Sequence, residues 1–316
     1  MRHRAPATRR ARVRALAKIN LDLRVLGKRP DGYHELRTIF QTISLADTLD
    51  LAFTPARETS IEIGDALQIP DNLAARAARL ALDAMQATGK IEMRLTKRIP
   101  MGAGLGGGSS DAAAVLLALP VLTGHVLPLP QLSALAAELG SDVTFFLLGG
   151  AAAGIGRGNE IFPLPDGPAR RGVLVAPGIH VSTAEAYRLL SPSLTTESQQ
   201  NKMFSFSSQV WAGGVAEAGC NDFEAVVFRQ HPGLAAIKKR LERAGASPAL
   251  MSGSGSAVFG LFRTGDGVSR ALAALEREST FRISLVSRAR YRSFWWHALK
   301  EHIARKIWPP QSRYAP

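Results

Sequence analysis

The stretch PMGAGLGGGSSDAAAVL, from Pro100 to Leu116, places five glycines within Gly102–Gly108 and then begins an alanine-rich segment typical of a helix. Glycine in an ordered element costs about 0.5–1 kcal/mol relative to alanine, because it loses more backbone freedom. Five glycines so close together indicate a backbone that needs conformations or close approaches that a Cβ would block. This glycine loop, residues 100–110, is therefore a candidate ligand site.

Two phosphate-loop patterns fit the glycine loop poorly. A Walker A loop has a lysine directly after its last glycine, and here Ser109 follows instead. The dinucleotide fingerprint G-x-G-x-x-G is matched by Gly102, Gly104 and Gly107. That fingerprint follows a fully buried parallel strand and precedes an acidic residue about 20 positions on. Here the preceding stretch IEMRLTKRIP alternates, and LTGHVLPLP stands where the acid belongs.

A third pattern fits better, namely glycines followed by two serines that begin a helix. The backbone N–H groups of the loop and of the first helical turn then point at one spot, where the helix dipole adds partial positive charge. The hydroxyls of Ser109 and Ser110 are able to contact a phosphate, or a Mg²⁺ ion on it. The alternative is a flexible glycine turn with a serine N-cap.

Length and composition restrict the class of protein. The chain has 316 residues, of which 46% are hydrophobic and 21% charged, enough for two globular domains. The single Cys220 excludes an internal disulfide and fits a reducing compartment, so we expect a cytoplasmic protein. No apolar run approaches the ~20 residues of a membrane span.

The formal charge of +13 is concentrated at the two ends of the chain. Residues 1–14 contribute +6, residues 288–316 contribute another +6, and the body between them is close to neutral. We therefore do not expect a dedicated nucleic-acid binder. Residues 1–14 are interpreted as a disordered basic tail, with a short transit peptide as the alternative. Residues 288–316 predict an amphipathic helix that docks on the body, a dimer contact or a membrane-surface element.

The order of predicted elements favours an α+β fold, because strands and helices mix without a regular βαβ alternation. Residues 15–26 alternate as a half-buried strand, with Leu16, Lys18, Asn20 and Asp22 on one parity. Residues 191–214 are polar and serine-rich without a clear period, and they predict a loop.

The glycine loop resembles the ATP-binding motif of the GHMP kinase superfamily, P-x-G-x-G-L-G-(G)-S-S. AKINL at residues 17–21 resembles that superfamily's first motif, and MSGSGSAVFGLF at 251–262 its third. The resemblance implies a ribosomal protein S5 domain 2-like N-terminal domain at 15–165 and a ferredoxin-like C-terminal domain at 166–287. The basic segments 1–14 and 288–316 lie outside it. It also implies transfer of the γ-phosphoryl group of ATP to a substrate hydroxyl.

Within the superfamily, AKINLDLRVLGKRPDGYHELRTIFQ resembles the kinases that act on a cytidine diphosphate derivative of methylerythritol in the non-mevalonate isoprenoid pathway. The resemblance implies that Tyr33 stacks on the cytosine ring and that His34 hydrogen-bonds the edge of the base. Tyr187 would close the other face of the ring, and Thr183 and Asn20 would contact the substrate. From the residues alone, Tyr187 could equally pack within a helix, and Asn20 could be a polar strand residue.

Two residues match the catalytic positions of the resembling family, and both assignments come from motif position. Asp142, in GSDVTFF, would be the catalytic aspartate, and Lys18 would hold it ionised and offset developing negative charge. Taken alone, Asp142 fits a helix N-cap and Lys18 a solvated strand residue.

ATP binding is assigned to the glycine loop by the same resemblance. The residues concerned are Pro100, Met101, Gly102, Ala103, Gly104, Leu105, Gly106, Gly107, Gly108, Ser109 and Ser110. We expect no metal site built by the protein alone, and Mg²⁺ would arrive with ATP near Ser109 or Ser110. Gly253, Ser254 and Gly255 would form a tight turn near the phosphates or the substrate, or only a plain hairpin turn. Asp111, where the family also often has Asn, must face away from phosphate or meet Mg²⁺.

Two rival functions remain open at this point. One is another GHMP kinase, for mevalonate, homoserine or a sugar, although those acceptors offer no base for DGYHEL to stack. The other is a non-catalytic nucleotide- or RNA-binding protein on the same scaffold. The expected partner is a small-molecule substrate, and the protein would be a monomer or homodimer.

Overall fold

The structure, a computed structural model, describes residues 7–191, 196–211 and 219–314. Its fold consists of two β-sheets with helices packed on them. The first sheet has six strands in the order β3-β4-β2-β5-β6, with β1 paired to β2. Only the β3–β4 pair is parallel. These strands are β1 (Arg9–Lys28), β2 (His34–Pro55), β3 (Ser60–Asp65), β4 (Gly89–Thr96), β5 (Ala151–Gly156) and β6 (Glu160–Pro163).

Four helices cover the first sheet, namely α1 (Leu73–Met85), α2 (Gly107–Thr123), α3 (Leu129–Leu139) and α4 (Val143–Phe146). Helix α2 lies between the strands and the other three helices, and every residue from Ser110 to Leu122 is buried. Its many alanines follow from this position, because small side chains let a helix pack closely on all sides. Helix α1 is capped by Asn72, whose side chain accepts a hydrogen bond from Ala74 N at 2.9 Å.

The second sheet is antiparallel, with the order β10-β7-β9-β8. Its strands are β7 (Arg171–Val175), β8 (Ala249–Met251), β9 (Val258–Phe262) and β10 (Thr280–Ser284). The helices in this half are α5 (Thr183–Leu190), α6 (Thr196–Trp211), α7 (Glu224–Gln230), α8 (Pro232–Arg243) and α9 (Gly265–Ala274), and α8 and α9 pack on the sheet. Helix α10 (Arg288–Ala298) follows β10. The expected α+β class is confirmed.

Strand β1 is buried on both faces, so the prediction of a half-buried strand is wrong. Ala17, Ile19 and Leu21 pack in a core shared with Leu174 and Phe259 of the second sheet. Lys18, Asn20, Asp22 and Arg24 on the other face are buried as well. The charged members of this face are paired, as buried charges usually are, because Arg24 Nε donates to Asp22 Oδ1 at 2.9 Å and Lys18 Nζ lies 3.4 Å from Asp142 Oδ2. Three register shifts against β2 interrupt this part of the strand.

Three further expectations concern the two ends of the chain and the segment 191–214. The prediction of a disordered tail over residues 1–14 is wrong from Arg9 onward. Strand β1 begins at Arg9, which pairs with Phe53 of β2. The loop expected over 191–214 contains helix α6, while residues 192–195 and 212–214 lie outside the described part of the chain. The described part of the C-terminal extension, residues 288–314, docks on the first sheet's core through the buried Tyr291 and Trp295 of α10, which is the first of the three alternatives expected for it. None of the described helices is long and apolar enough to cross a membrane.

Candidate active site

The glycine loop connects β4 to α2 and touches the third glycine-rich motif across the two halves of the molecule. Gly104 has φ +77°, and a Cβ there would collide with the carbonyl oxygen of Ser252. Ser252 Oγ donates to Gly104 O at 2.9 Å, and Ala257 N donates to Ala103 O at 3.2 Å. Only glycine meets both demands at position 104, since it tolerates positive φ and has no Cβ. These contacts with the third motif therefore fix the conformation of the glycine loop.

A cleft of about 440 Å³ runs along the glycine loop. Ten of the eleven residues expected to bind ATP line it, from Pro100 to Ser109. The first helical N–H groups of α2, at Gly107, Gly108 and Ser109, have no acceptor within the helix and open toward an anion. Ser110 is the exception among the eleven, because its side chain is buried and its Oγ donates to Leu16 O at 2.8 Å. Of the two serines, Ser109 is therefore the one at the cleft.

Beneath the loop lies a buried group of three charges. The Nζ atom of Lys97 donates to Asp47 Oδ2 at 2.5 Å and to Asp111 Oδ2 at 2.7 Å. Asp47 Oδ1 also accepts from the amides of Arg98 and Ile99, at the start of the loop. Burial and the neighbouring Asp47 carboxylate raise the pKa of Asp111 to about 7, against the opposing effect of Lys97. Asp111 is thus bound to Lys97 and also lines the glycine-loop cleft, and the expectation that it faces away from phosphate or meets Mg²⁺ stays a prediction.

Lys18 and Asp142 come together in the structure. Lys18 Nζ lies 3.4 Å from Asp142 Oδ2 and donates to Asn20 Oδ1 at 2.7 Å. Asn20 Nδ2 donates to Thr38 Oγ1 at 2.7 Å, and Asn20 Oδ1 also accepts from Gly253 N at 3.0 Å. The lysine side chain is nearly fully buried, whereas one third of the aspartate side chain is exposed. The carboxylate is therefore the member of the pair that a ligand reaches.

A second cavity, of about 210 Å³, opens at this pair, and we call it the acceptor cavity. Gly104 and Gly106 of the glycine loop line it as well as the first cleft, so the two spaces share a wall. Thr183 joins the third motif through its hydroxyl, 2.8 Å from Ser254 Oγ. The lining residues are Lys18, Asn20, Leu23, Leu36, Thr38, Phe40, Gly104, Gly106, Asp142, Arg157, Gly158, Thr183, Tyr187, Phe223, Gly253 and Ser254.

The aromatic residues near this cavity are arranged differently from the expected sandwich. The ring of His34, rather than that of Tyr33, stacks on Tyr187, with centroids 4.5 Å apart and planes 20° apart. His34 Nε2 lies 3.1 Å from Ser191 Oγ. Burial and the charge of Lys28 lower the pKa of His34. Burial and the charge of Asp142 raise the pKa of Tyr187.

Tyr33 is half-exposed and is covered by an arginine. The Arg157 guanidinium carbon lies 3.5 Å from the centroid of the Tyr33 ring, a cation–π geometry. Arg157 lines the acceptor cavity, and its Nε is buried without a hydrogen-bond partner among the described residues. Sequence reasoning missed Arg157, since a lone arginine in GIGRGNE carries no motif. It also missed Thr38 and Phe223, which look like ordinary strand and helix residues.

Comparison with known proteins identifies the family. Residues 72–150 match the GHMP kinases N terminal domain, and residues 211–279 match the GHMP kinases C terminal model. The chain is 70% identical over 313 residues to a 4-diphosphocytidyl-2-C-methyl-D-erythritol kinase of Solibacter usitatus (strain Ellin6076). This alignment covers 98% of the chain and 99% of the relative. The chain belongs to the 4-diphosphocytidyl-2-C-methyl-D-erythritol kinase family of GHMP kinases.

More distant members agree with this assignment. The kinase of the same name from Bacillus cytotoxicus (strain DSM 22905 / CIP 110041 / 391-98 / NVH 391-98) is 44% identical over 79% of this chain and 87% of its own length. A crystal structure of a 4-(cytidine 5'-diphospho)-2C-methyl-D-erythritol kinase superposes with a TM-score of 0.72 at 40% identity. It covers 87% of this chain and 98% of that one. The chain is thus an ATP-dependent phosphotransferase of the GHMP kinase fold.

The homoserine kinase of Cytophaga hutchinsonii ATCC 33406 is similar in fold alone. Its TM-score is 0.67, its sequence identity 18%, and the match covers 88% of this chain and 95% of that one. The family assignment excludes the alternative of a non-catalytic nucleotide- or RNA-binding protein, because the relatives that define the family are kinases. The acceptor that this chain phosphorylates is inferred from the residues of the acceptor cavity and from the names of these relatives.

Proposed function

We propose that this chain transfers the γ-phosphoryl group of ATP to the 2-hydroxyl of 4-diphosphocytidyl-2-C-methyl-D-erythritol, in the non-mevalonate isoprenoid pathway. The observation that carries the proposal is the shared wall between the two cavities. Gly104 and Gly106 line both the glycine-loop cleft and the acceptor cavity, which holds Lys18 and Asp142. A phosphate on the loop and a hydroxyl at Asp142 would therefore meet at this wall.

The proposed chemistry uses Asp142 as the base. The acceptor oxygen attacks the γ-phosphorus, the bond to the β–γ bridging oxygen breaks, and ADP leaves. The hydroxyl proton passes to the exposed carboxylate oxygen of Asp142. Lys18, held in place by Asn20, lies beside that carboxylate and offsets the negative charge that spreads over the transferring group. Positioning and charge supply most of the catalysis in such a reaction.

ATP would lie along the glycine loop, with phosphate oxygens at the first N–H groups of α2. The free amides and the three glycines with positive φ, at positions 102, 104 and 106, fit a phosphate because they leave the backbone bare. Ser109 offers a hydroxyl at the cleft for Mg²⁺, whereas Ser110 is committed to Leu16. Bound Mg²⁺ would neutralise charge on the phosphates.

The acceptor's cytosine would be bound by Tyr33, His34 and Tyr187, as the resemblance implies. In this structure His34 covers one face of Tyr187, so the proposal requires His34 to turn aside as the base enters. The Phe223 ring meets Tyr187 edge-on, with centroids 4.8 Å apart, and stabilises its orientation. We add Arg157 to the acceptor contacts, because its cation lines the same cavity. Thr183 and Asn20 complete the proposed substrate contacts.

Identification of the product tests the proposed function. The purified chain is incubated with Mg·ATP and 4-diphosphocytidyl-2-C-methyl-D-erythritol, and the products are followed by ³¹P NMR. One new phosphomonoester signal per ADP formed, assigned to the 2-position, is the expected result. ATP hydrolysis without a phosphorylated acceptor would contradict it. A cytoplasmic location and a monomeric or homodimeric state belong to the same proposal, and gel filtration of the full chain tests the latter.

A further inference from the structure

The segment after β10, residues 288–314, packs directly behind the short helix that follows Asp142. This C-terminal segment lies outside both regions matched by the family models, the second of which ends at residue 279. Tyr291 Oη donates to the carbonyl oxygen of Phe146, at the end of α4. Trp308 Nε1 donates to Leu147 O at 3.0 Å. The C-terminal segment therefore donates hydrogen bonds to two consecutive carbonyl groups at the end of α4, the short helix that follows Asp142.

The turn after α4 fits closely against the same segment. Gly149 and Gly150 have φ values of +63° and +73°. A Cβ at Gly149 would collide with the ring of Tyr291, and one at Gly150 would lie 2.7 Å from Arg288 Cβ. The fit is as close as in a protein core, where a shift of one group moves its neighbours.

The other side of α4 faces the glycine loop where the loop passes Lys18. A Cβ at Gly106 would lie 2.9 Å from the Phe146 ring and 3.2 Å from Lys18 Cγ. Phe146 thus touches the glycine loop with its ring and accepts from Tyr291 with its carbonyl. One short helix joins the C-terminal segment, the glycine loop and the Lys18–Asp142 pair.

We propose that the C-terminal segment is a positioning element for catalysis, because Tyr291 and Trp308 fix the helix that presents Asp142 to the acceptor. The inference rests on the proposed function, since it assigns these residues to the same reaction. Neither residue touches the cavities. Their loss would leave substrate binding intact and lower the rate of the chemical step, since small displacements of a reacting group slow a reaction strongly.

The test removes single hydrogen bonds and keeps the rings. Tyr291→Phe deletes the donor to Phe146, and Trp308→Phe deletes the donor to Leu147. Ser312→Ala is the matched control, because Ser312 Oγ donates to Val121 O at 2.8 Å, at the far end of α2. Tyr314→Phe is a second control that keeps the ring, since the Tyr314 hydroxyl lies 3.1 Å from His302 Nδ1 and Tyr314 stands beside Gly124, after the end of α2. Each variant's kcat, both KM values and melting temperature are measured, with kinetics recorded well below every melting transition.

We expect kcat to fall about 5- to 50-fold in Tyr291→Phe and Trp308→Phe, with both KM values within about twofold of wild type. Ser312→Ala and Tyr314→Phe keep the wild-type kcat at a similar loss of melting temperature. Unchanged kcat in the first two variants would overturn the proposal, and so would equal losses in all four. Should Tyr291→Phe fail to fold, the comparison of Trp308→Phe with Ser312→Ala decides. A silent wild type refutes the proposed function instead, so the two failures are distinguishable.

Discussion

Lys18 Nζ lies 3.4 Å from Asp142 Oδ2, although the two residues are separated by more than a hundred positions in the chain. Lys18 is held on β1 by Asn20, and Asp142 stands at the start of α4. No side-chain capping bond is made by Asp142, so the alternative of a simple N-cap does not account for it. The pair is a cation and an accessible carboxylate at the wall of a cavity.

Asp142→Asn should lower kcat about 10²- to 10⁴-fold, because it removes the proposed base and keeps the shape of the side chain. Binding of ATP should stay within a few-fold, since Asp142 does not line the glycine-loop cleft. Single-turnover kinetics and titration with a non-hydrolysable ATP analogue measure the two effects.

Asp50→Asn is the control for this prediction. The Asp50 side chain is as exposed as that of Asp142, 34% against 33%, and it is paired with Arg12 on the far side of the first sheet. Wild-type kcat is expected for Asp50→Asn. Near-normal activity of Asp142→Asn would remove the base assignment.

Tyr187→Ala should raise the KM for the cytidine acceptor about 5- to 150-fold, the equivalent of one base–aromatic stack of about 1–3 kcal/mol. Tyr187→Phe keeps the stacking face and should stay close to wild type. The KM for ATP should not move in either variant. Acceptor affinity unaffected by the loss of the ring would exclude Tyr187 from the base site, and Tyr33→Ala repeats the test for the opposite face.

Gly104→Ala should be far more damaging than Gly102→Ala. Both glycines have positive φ, so either substitution strains the backbone by about 1–2 kcal/mol. Only at Gly104 would the added Cβ collide with the Ser252 carbonyl, whereas at Gly102 it would lie 3.6 Å from His180 Nδ1. Gly104→Ala should therefore also weaken ATP binding at least tenfold. Equal ATP affinities in the two variants would show that the contact with the third motif is dispensable.

Asp111→Asn should stabilise the fold increasingly as the pH rises. The folded chain keeps a proton on Asp111 up to its pKa of about 7, whereas the unfolded chain loses it near pH 4. The folded state binds more protons between these values, so its free energy of unfolding falls with pH and the loss is complete above about pH 7. Asparagine removes this loss, which amounts to about 2–4 kcal/mol. Urea unfolding at pH 5, 6, 7 and 8 measures it.

Asp47→Asn serves as the comparison, because Asp47 accepts from Lys97 and from two backbone amides. Its replacement should destabilise the fold at every pH in this series. An Asp111→Asn effect that stays flat between pH 5 and 8 would contradict the raised pKa of Asp111.

The sequence indicated the α+β class, the glycine loop and the family, because these depend on local patterns. Glycines, serines and the following alanines report directly on loop and helix chemistry. The pairing of Lys18 with Asp142 came from motif positions alone, since no periodicity links residues so far apart.

Other features depend on tertiary contacts and could not be read locally. One face of β1, with Ala17, Ile19 and Leu21, is buried by packing against the second sheet, which alternation in residues 15–26 cannot reveal. Arg9–Arg14 are strand residues because β2 pairs with them, although six arginines in 1–14 suggested a tail. Arg157 needed the fold to bring it beside Tyr33.

The most direct test of the central claim is ADP release from Mg·ATP with four acceptors side by side. They are 4-diphosphocytidyl-2-C-methyl-D-erythritol, methylerythritol phosphate, mevalonate and homoserine. Turnover with the cytidine compound alone is the expected result, since only that acceptor carries a base for Tyr33, His34 and Tyr187. Turnover with another acceptor, or with none of the four, would contradict the account.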